Sequence, residues 1–530
     1  MNRQQDNIVN VIFFIRATEP RMNKDLLGTM KNQLELVKRF GLRSTFLLEY
    51  DAICNPDYVL AIKESQAPGL EIGGWLEIVQ PLVEQAGLTW RGRYPWDWYS
   101  DVGFSVGYTP EERRRLIDTF MAGFKEKFGF YPRSVGSWMI DAVTLAYMAD
   151  RYGVEASCNC RDQWGTDGYT LWGGYYGQAF YPSRKNAFCP AQDKDNQIDL
   201  PVFRMLGSDP IYQYDNGLVY DGEYRPSDCQ QVVTLEPVYC GGNGGGGVPA
   251  WVDWYLHENF MPGVSFNYTQ AGQENSFGWD GMKDGLEYQF TKLKSLQDEG
   301  KIRIEPLCES GRWFKSHFSV TPPTSMSAMS DWKNEGRRTV WYDSRFYRAN
   351  IYQEGERVWI RDIHKFDDSY EERYLTERCD SHAMHYDNLP VIDGNCWSGG
   401  QVRAGLYPEV CDGHGVNAPI LGEISAEYAN DTTAKITVNG NGTKLTIVCQ
   451  EDRITFSLCS GQPERLSLLM RDGKNMLSAV CIEDGKLCYR YAEHPYIVSV
   501  EQAMSLVHTD DGIRITSKDH TLTLIMSDKV

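Results

Sequence analysis

A chain of 530 residues with a formal net charge of −19 is too long for one ordinary core and too acidic for a surface that binds phosphates through Lys and Arg clusters. No window approaches the roughly 18 uninterrupted apolar residues of a membrane span, so neither nucleic acid nor a membrane is an expected partner. All nine histidines lie at or after His257, so residues 1–256 cannot alone assemble a His-ligated zinc site, a Ser-His-Asp triad or a Cys-His dyad.

The opening MNRQQDNIVNVIFF lacks the basic start and long apolar core of a secretory signal, which makes a cytoplasmic protein the expectation. Residues 10–15 form an apolar run suited to a buried strand, followed by Arg16, Glu19 and Pro20. Asp25 caps a helical stretch that stops at Gly41, and Ser44 to Leu48 form the next strand, ending in Glu49 and Asp51. A short helix over 55–66 leads to a third strand, LEIGGW, with Glu77 at its exit. After an aromatic loop, Thr109 and Pro110 open a long helix. A fourth strand near 134–140 ends at Asp141, and VEASCNC follows the next helix. Its Cys158 and Cys160 would share a face of the strand, and the fourteen scattered cysteines read as reduced thiols. Further strands are expected at 201–206, 263–268 and 302–306, and GGNGGGG (241–247) reads as a hinge or lid.

Composition changes after Phe314: SVTPPTSMSAMSDW is turn-rich, and short strands separated by NG, DG or charged turns then dominate. The expected architecture is α/β, a (β/α)7-8 TIM-like barrel over 1–315, a linker and β-rich segment over 316–420, and a C-terminal β-sandwich over 421–530.

In a parallel barrel the loops at the carboxyl ends of the strands converge on one mouth. Polar residues at these exits are therefore the first candidates. Glu77, Asp141, Asp209 and Glu309 are the candidate catalytic carboxyls, because a carboxyl pair can cleave a glycosidic bond without metal or histidine. Trp75, Trp98, Trp138, Trp164 and Tyr169 offer aromatic faces for sugar rings, and Glu19, Asp162 and Asp167 offer acceptors for hydroxyls. Arg16, Arg161 and Arg204 would either clamp an acidic sugar or pair with Glu19, Asp162 and Asp209.

LEIGGWLEI (70–78) resembles the second motif of polysaccharide deacetylase-like barrels, and PRSVGSWMIDAVTLAYMADRYGVEAS (132–157) resembles their third. The resemblance places Trp75 and Val79 where two metal-binding histidines would stand, with FIRATEP replacing the paired aspartates of the first motif. It covers roughly residues 8–315 and points to the glycoside hydrolase/deacetylase superfamily, which includes glycosidases of families 57 and 38. FFIRATEPR, TFLLEYDAI, CRDQWGTDGYTLWGGYY and PVFRMLGSDPIYQYD look like an uncharacterised bacterial group of glycoside hydrolases or deacetylase-like proteins.

The expectation is a metal-independent glycoside hydrolase that needs no cofactor, acts on a carbohydrate and is compatible with a homo-oligomer. The alternatives are a deacetylase with a non-standard metal site, for which His257, His317, His364, His382 and His385 are the nearby supply, and an inactive sugar-binding barrel.

Overall fold

The computed structural model describes residues 5–527, leaving out 162, 164–166, 216–231, 413, 416, 441 and 460–463. Its first half is a curved, mainly parallel sheet with helices outside. The parallel strands are β1 (Asn7–Ile15), β2 (Ser44–Leu48), β3 (Leu70–Trp75), β4 (Ser134–Gly136) and β5 (Ala156–Asn159). Two short strands, β6 (Tyr169–Thr170) and β7 (Ala179–Phe180), precede β8 (Val202–Arg204), β9 (Asn267–Ala271) and β10 (Arg303–Ile304). From β1 the ladder runs in parallel through β2, β3, β4, β5 and β8, and β9 and β10 both pair with the first part of β1.

Of the expected (β/α)7-8 TIM-like barrel, the described residues form a half-barrel sheet. Among the described residues no ladder joins β8 to β9; the antiparallel β7 lies on the outer edge of β8 instead. The gap is crossed by a side chain, Gln178, whose amide donates to the carbonyls of Phe266 at 2.9 Å and Ser325 at 3.0 Å.

Local sequence sets the helix ends. Thr109 and Glu112 make a reciprocal capping box on the helix Pro110–Phe128, which Gly129 ends in the left-handed conformation. Its buried face, Leu116, Ile117, Phe120, Met121 and Phe124, recurs at helical spacing and packs into the core of the parallel sheet. Gly272 has φ +112°, and a Cβ there would lie 2.0 Å from the Ile12 carbonyl oxygen, so only glycine lets β9 run this close to β1. In GGNGGGG, Gly241 and Gly242 are open but the second half is packed: a Cβ on Gly246 would meet the Leu235 carbonyl oxygen at 2.0 Å. Close backbone approach, and not a hinge, accounts for that residue.

From Thr324 onward the described chain is mainly β-structure, with two short 3-10 turns at Arg373–Leu375 and Met476–Ala479. One ten-stranded sheet begins with β11 (Thr324–Ala328), β12 (Arg337–Asp343), β13 (Tyr347–Glu354) and β14 (Arg357–Lys365), and takes in Gly405–Cys411, Arg465–Arg471 and Gly512–Ser517. An eight-stranded antiparallel sheet includes Ala434–Asn439, Lys444–Gln450, Arg453–Cys459 and Thr521–Ile525. Alternate residues of both sheets, such as Val340, Ile351, Ile447 and Phe456, are fully buried in one shared apolar core.

Candidate active site at the strand exits

Parallel registration sets the site. Ile15 lies opposite Leu48, and Leu48 opposite Gly74, so the next residues of the three strands, Arg16, Glu49 and Trp75, stand side by side at the carboxyl edge. Asn275, past the end of β9, accepts from the Arg16 amide at 3.0 Å and returns a bond to the Arg16 carbonyl at 2.8 Å. This exchange fixes Glu274 beside the same edge.

The Arg16 guanidinium is 2% exposed and donates to Glu77 at 2.7 Å, Glu274 at 3.0 Å and Glu19 at 3.2 Å. Burial opposes its charge, but Glu274, Glu77, Glu49 and Glu19 hold it protonated far above its usual range. Trp96 lies against it, with the guanidinium carbon 4.4 Å from the ring centroid, and Arg21 stacks on Trp96 at 4.5 Å and on Trp98 at 4.9 Å. Arg21 also binds Glu19 at 3.0 Å and Asp167 at 2.8 Å, and these two rim side chains, Arg21 and Asp167, remain partly exposed.

Carboxyls outnumber cations here, and their protonation follows. Burial lifts Glu77 above the usual carboxylate range, against the Arg16 charge and a 2.6 Å bond from the Trp75 indole N–H. Glu274 is lifted by burial as well, despite Arg16 and the Ser276 hydroxyl. Glu49 is pushed up furthest, by burial and by the neighbouring charges of Asp51 and Glu77. Burial also raises Asp51, although it accepts from the Ala17 amide at 3.1 Å. Glu19 is the exception: burial would raise it, but the hydrogen bonds from Arg21 and the charge of Arg16 hold it low.

The sequence candidates therefore separate. Arg16, Glu19, Trp75, Glu77, Trp98 and Asp167 come together, with Trp138 packed edge-on against Trp75 at 5.3 Å. Tyr169 is buried, and the charges of Asp167 and Glu77 reach it, after burial itself, in raising its hydroxyl pKa. Trp75 is fully buried and stacked on Phe14 at 4.4 Å, so it presents its N–H to Glu77 and no face to a sugar.

Other candidates lie outside this group. Asp141 caps the helix Ala142–Tyr152 through the Thr144 amide at 3.0 Å, pairs with Arg113 at 3.2 Å and accepts from Ser105 at 2.6 Å. Asp209 is bound by the Ile211 and Tyr212 amides, both at 2.8 Å, and by the Trp251 indole at 2.9 Å. Glu309 sits at the opposite end of the strands. β10 aligns only with Ile8 and Val9 of β1, so its exit falls low, where Glu309 pairs with Arg43 just ahead of β2.

The acidic-sugar clamp is not assembled. Arg16 is held by carboxylates, Arg161 by the carbonyls of Gly177 at 3.0 Å and of Val202, and Arg204 by the Tyr176 carbonyl at 3.1 Å. Asp162 and Trp164 lie outside the described residues. Among the described residues no group of three or more His, Cys, Asp or Glu side chains is placed to hold a metal ion. His382 stacks on Tyr99 with centroids 4.0 Å apart, and His385 lies 3.5 Å from Asp387.

Glu274, Arg21 and Glu236, which accepts from Gln273 at 3.0 Å beside the site, were not singled out by sequence. For Glu274 the signal was faint: a polar strand, NYTQA, whose exit lies farther on than the apolar run at 263–268 suggested.

No family model and no curated protein sequence matches the chain. Among solved structures, a candidate glycoside hydrolase/deacetylase from Parabacteroides distasonis shares 15% identity, covering 72% of this chain and 88% of that one with a TM-score of 0.53. Candidate polysaccharide deacetylases from Mycobacterium smegmatis (12% identity, 60% of this chain and 92% of that one, TM-score 0.35) and Pseudomonas aeruginosa PAO1 (12%, 59% and 93%, TM-score 0.36) also match. The chain thus shares its fold with the candidate glycoside hydrolase/deacetylase from Parabacteroides distasonis.

Proposed function

We propose that the protein is a carbohydrate-active hydrolase, and within that class a glycoside hydrolase that works with Glu77 and Glu274. The observation that carries this reading is that both carboxyls receive one nitrogen, Arg16 Nη2, at 2.7 and 3.0 Å, while burial lifts both above the usual carboxylate range. Their bonded oxygens cannot be further apart than those two bonds laid end to end. Sharing one nitrogen keeps the two carboxyls close, in keeping with the shorter spacing of a retaining pair.

Glu77, next to the proton-rich Glu49, takes the acid/base role. Its proton passes to the leaving glycosidic oxygen. Glu274, oriented by Arg16 and the Ser276 hydroxyl, attacks the anomeric carbon. Water then displaces Glu274 while giving a proton to Glu77. Trp98, Arg21 and Asp167 at the rim would hold the rest of the sugar.

The test is a panel of oligosaccharides incubated with wild type, Glu77→Gln and Glu274→Gln, with and without chelator, scoring reducing ends and free acetate. Reducing ends with retained anomeric configuration, insensitive to chelator and lost in both variants, are expected. Acetate release abolished by chelator would replace this reading with deacetylation.

A further inference from the structure

Glu49 is fully buried, and neither of its carboxyl oxygens meets an N–H or O–H donor from the protein. An ionised carboxylate in that position would be a buried charge without hydrogen bonds, an arrangement proteins avoid. The carboxyls that act on it are those of Asp51, two residues on, and Glu77, past the end of the neighbouring β3. The charge of Arg16 acts on it too, but the Arg16 side-chain hydrogen bonds go to Glu19, Glu77 and Glu274. Asp51 and Glu77 each accept N–H bonds and Glu49 accepts none, so Glu49 is the carboxyl of the three that best carries a proton.

We propose that Glu49 stays protonated throughout the catalytic cycle and turns its O–H between Asp51 and Glu77, so that Glu77 can serve first as acid and then as base. This rests on the acid/base role given to Glu77 above. While Glu77 is protonated, its own O–H points to the leaving oxygen and Glu49 donates to Asp51. When the Glu77 O–H bond breaks and its proton joins the leaving oxygen, the Glu49 O–H rotates to the new Glu77 carboxylate. When the attacking water returns a proton to Glu77, the Glu49 O–H turns back to Asp51. Glu49 neither gains nor loses a proton over the cycle; it is a positioning residue.

Glutamine imitates this neutral carboxyl, since its amide can donate to one neighbour and accept from the other, whereas leucine can do neither. Glu49→Gln is therefore expected to hold kcat/KM within about tenfold of wild type, and Glu49→Leu to lose on the order of 10- to 100-fold, the worth of a hydrogen bond to a charged group. The basic limb of the Glu49→Leu pH profile should also move to higher pH, because Glu77 loses a donor to its ionised form.

Infrared difference spectra of the folded variants at neutral pH add a readout independent of turnover. The carbonyl stretch of a protonated carboxylic acid should be present in wild type and diminished in Glu49→Gln. An unchanged band, or a Glu49→Gln variant as impaired as Glu49→Leu, overturns the proposal. Loss of the band in an enzyme that cleaves no glycan supports the standing proton and discards the glycosidase reading instead.

A separate observation concerns two cysteines at the edge of the eight-stranded sheet. Cys481 and Cys488 lie directly opposite each other in an antiparallel hairpin, Cys481 exposed and Cys488 partly so. Opposed residues in such a ladder have Cα atoms about 4.5–5.5 Å apart, inside the roughly 4.4–6.8 Å range of disulfides. We infer that this pair is an oxidation site closed by thiol–disulfide exchange. One thiolate attacks a small disulfide such as oxidised glutathione, releasing one thiol, and the second cysteine displaces the other.

Native protein treated with oxidised glutathione should give, in non-reducing peptide mapping, a Cys481–Cys488 link lighter by two hydrogens and absent from Cys481→Ser. Glutathione adducts at both positions without the link overturn the inference.

Discussion

Two buried arginines invite comparison. Arg16 stands at the strand exits among Glu19, Glu49, Glu77 and Glu274, whereas Arg348 stands inside the ten-stranded sheet with Asp362, His364 and Asp393. In the sheet, charges match: Arg348 pairs with Asp362, and His364 bridges Asp362 at 2.6 Å and Asp393 at 3.3 Å. Asp362 is held below the usual range, because Arg348 and His364 outweigh its burial, and His364 is raised, because Asp362 outweighs its own burial. At the strand exits, carboxyls are in surplus and Glu49, Asp51, Glu77 and Glu274 are all pushed upward, first by burial. A matched network is a fixture, and it ties Arg348 to the Gly174 carbonyl at 3.0 Å. A network with surplus carboxyls holds protons more tightly than free carboxyls do, which is the direction acid catalysis requires.

The largest expected effect breaks the catalytic side of this comparison. Glu77→Gln and Glu274→Gln should each lower kcat by about 10²–10⁴-fold, the range of general acid–base and nucleophile losses, with thermal unfolding little changed. Asp362→Asn should leave the acid chemistry intact and act on stability instead. Activity per folded molecule, with circular dichroism as the check on folding, separates the two. A Glu77→Gln enzyme with wild-type turnover would end the assignment.

The next effect opposes the two networks directly. Arg16→Met strips the cation from clustered carboxyls and Asp362→Asn strips the anion from Arg348 and His364; each should cost about 3–5 kcal/mol in denaturant titrations near neutral pH. Their pH responses should differ in sign. Acid neutralises the orphaned carboxyls, so Arg16→Met should regain stability as pH falls toward the carboxyl range. Alkali neutralises His364, so Asp362→Asn should regain part of its loss as pH rises. Parallel responses would mean that the two networks do not differ as described.

How much of this contrast was legible follows from which residues carry it. Strand exits announced themselves, because apolar runs ending in Arg16, Glu49 or Glu77 are local signals, and parallel registration then places consecutive exits together. Glu274 escaped because β9 pairs through Asn267, Thr269 and Gln270, polar residues buried among other strands, so its end carried no apolar cue. Glu309 misled because sequence shows that a strand ends but not how high it reaches beside β1. Asp141 and Asp209 were equally good strand-end carboxyls, and their partners, Arg113 and Trp251, are brought in by tertiary packing alone. The surplus of carboxyls around Arg16 is a property of the assembled edge, which no single segment contains.

A third buried acid bridges the two halves and should give an intermediate effect. Glu372 accepts from the Ala142 amide at 2.9 Å and the Ala187 amide at 2.8 Å, and is raised to about 8 by burial and by Asp141. Its folded pKa exceeds its unfolded one, so its contribution is whole below about pH 4.3 and is lost as pH rises through 8. Glu372→Gln should cost about 1 kcal/mol at low pH, where one acceptor faces an amide wrongly, and flatten the decline in melting temperature between those limits. An unaltered slope would place the titration elsewhere.

The smallest effect belongs to the rim. Trp98 is only partly buried, and Arg21 and Arg93 stack on it at 4.9 and 4.5 Å. Trp98→Ala therefore removes an aromatic face and two exposed cation–π contacts, each worth about 0.5–1 kcal/mol, without touching Glu77 or Glu274. If the rim holds sugar and the floor performs chemistry, KM should rise about three- to tenfold while kcat stays near wild type. A fall in kcat with unchanged KM would instead show that Trp98 works through Arg21 on Glu19 and the Arg16 cluster. Rim and floor would then be one unit, and the surplus of protons at the strand exits would depend on its aromatic cover.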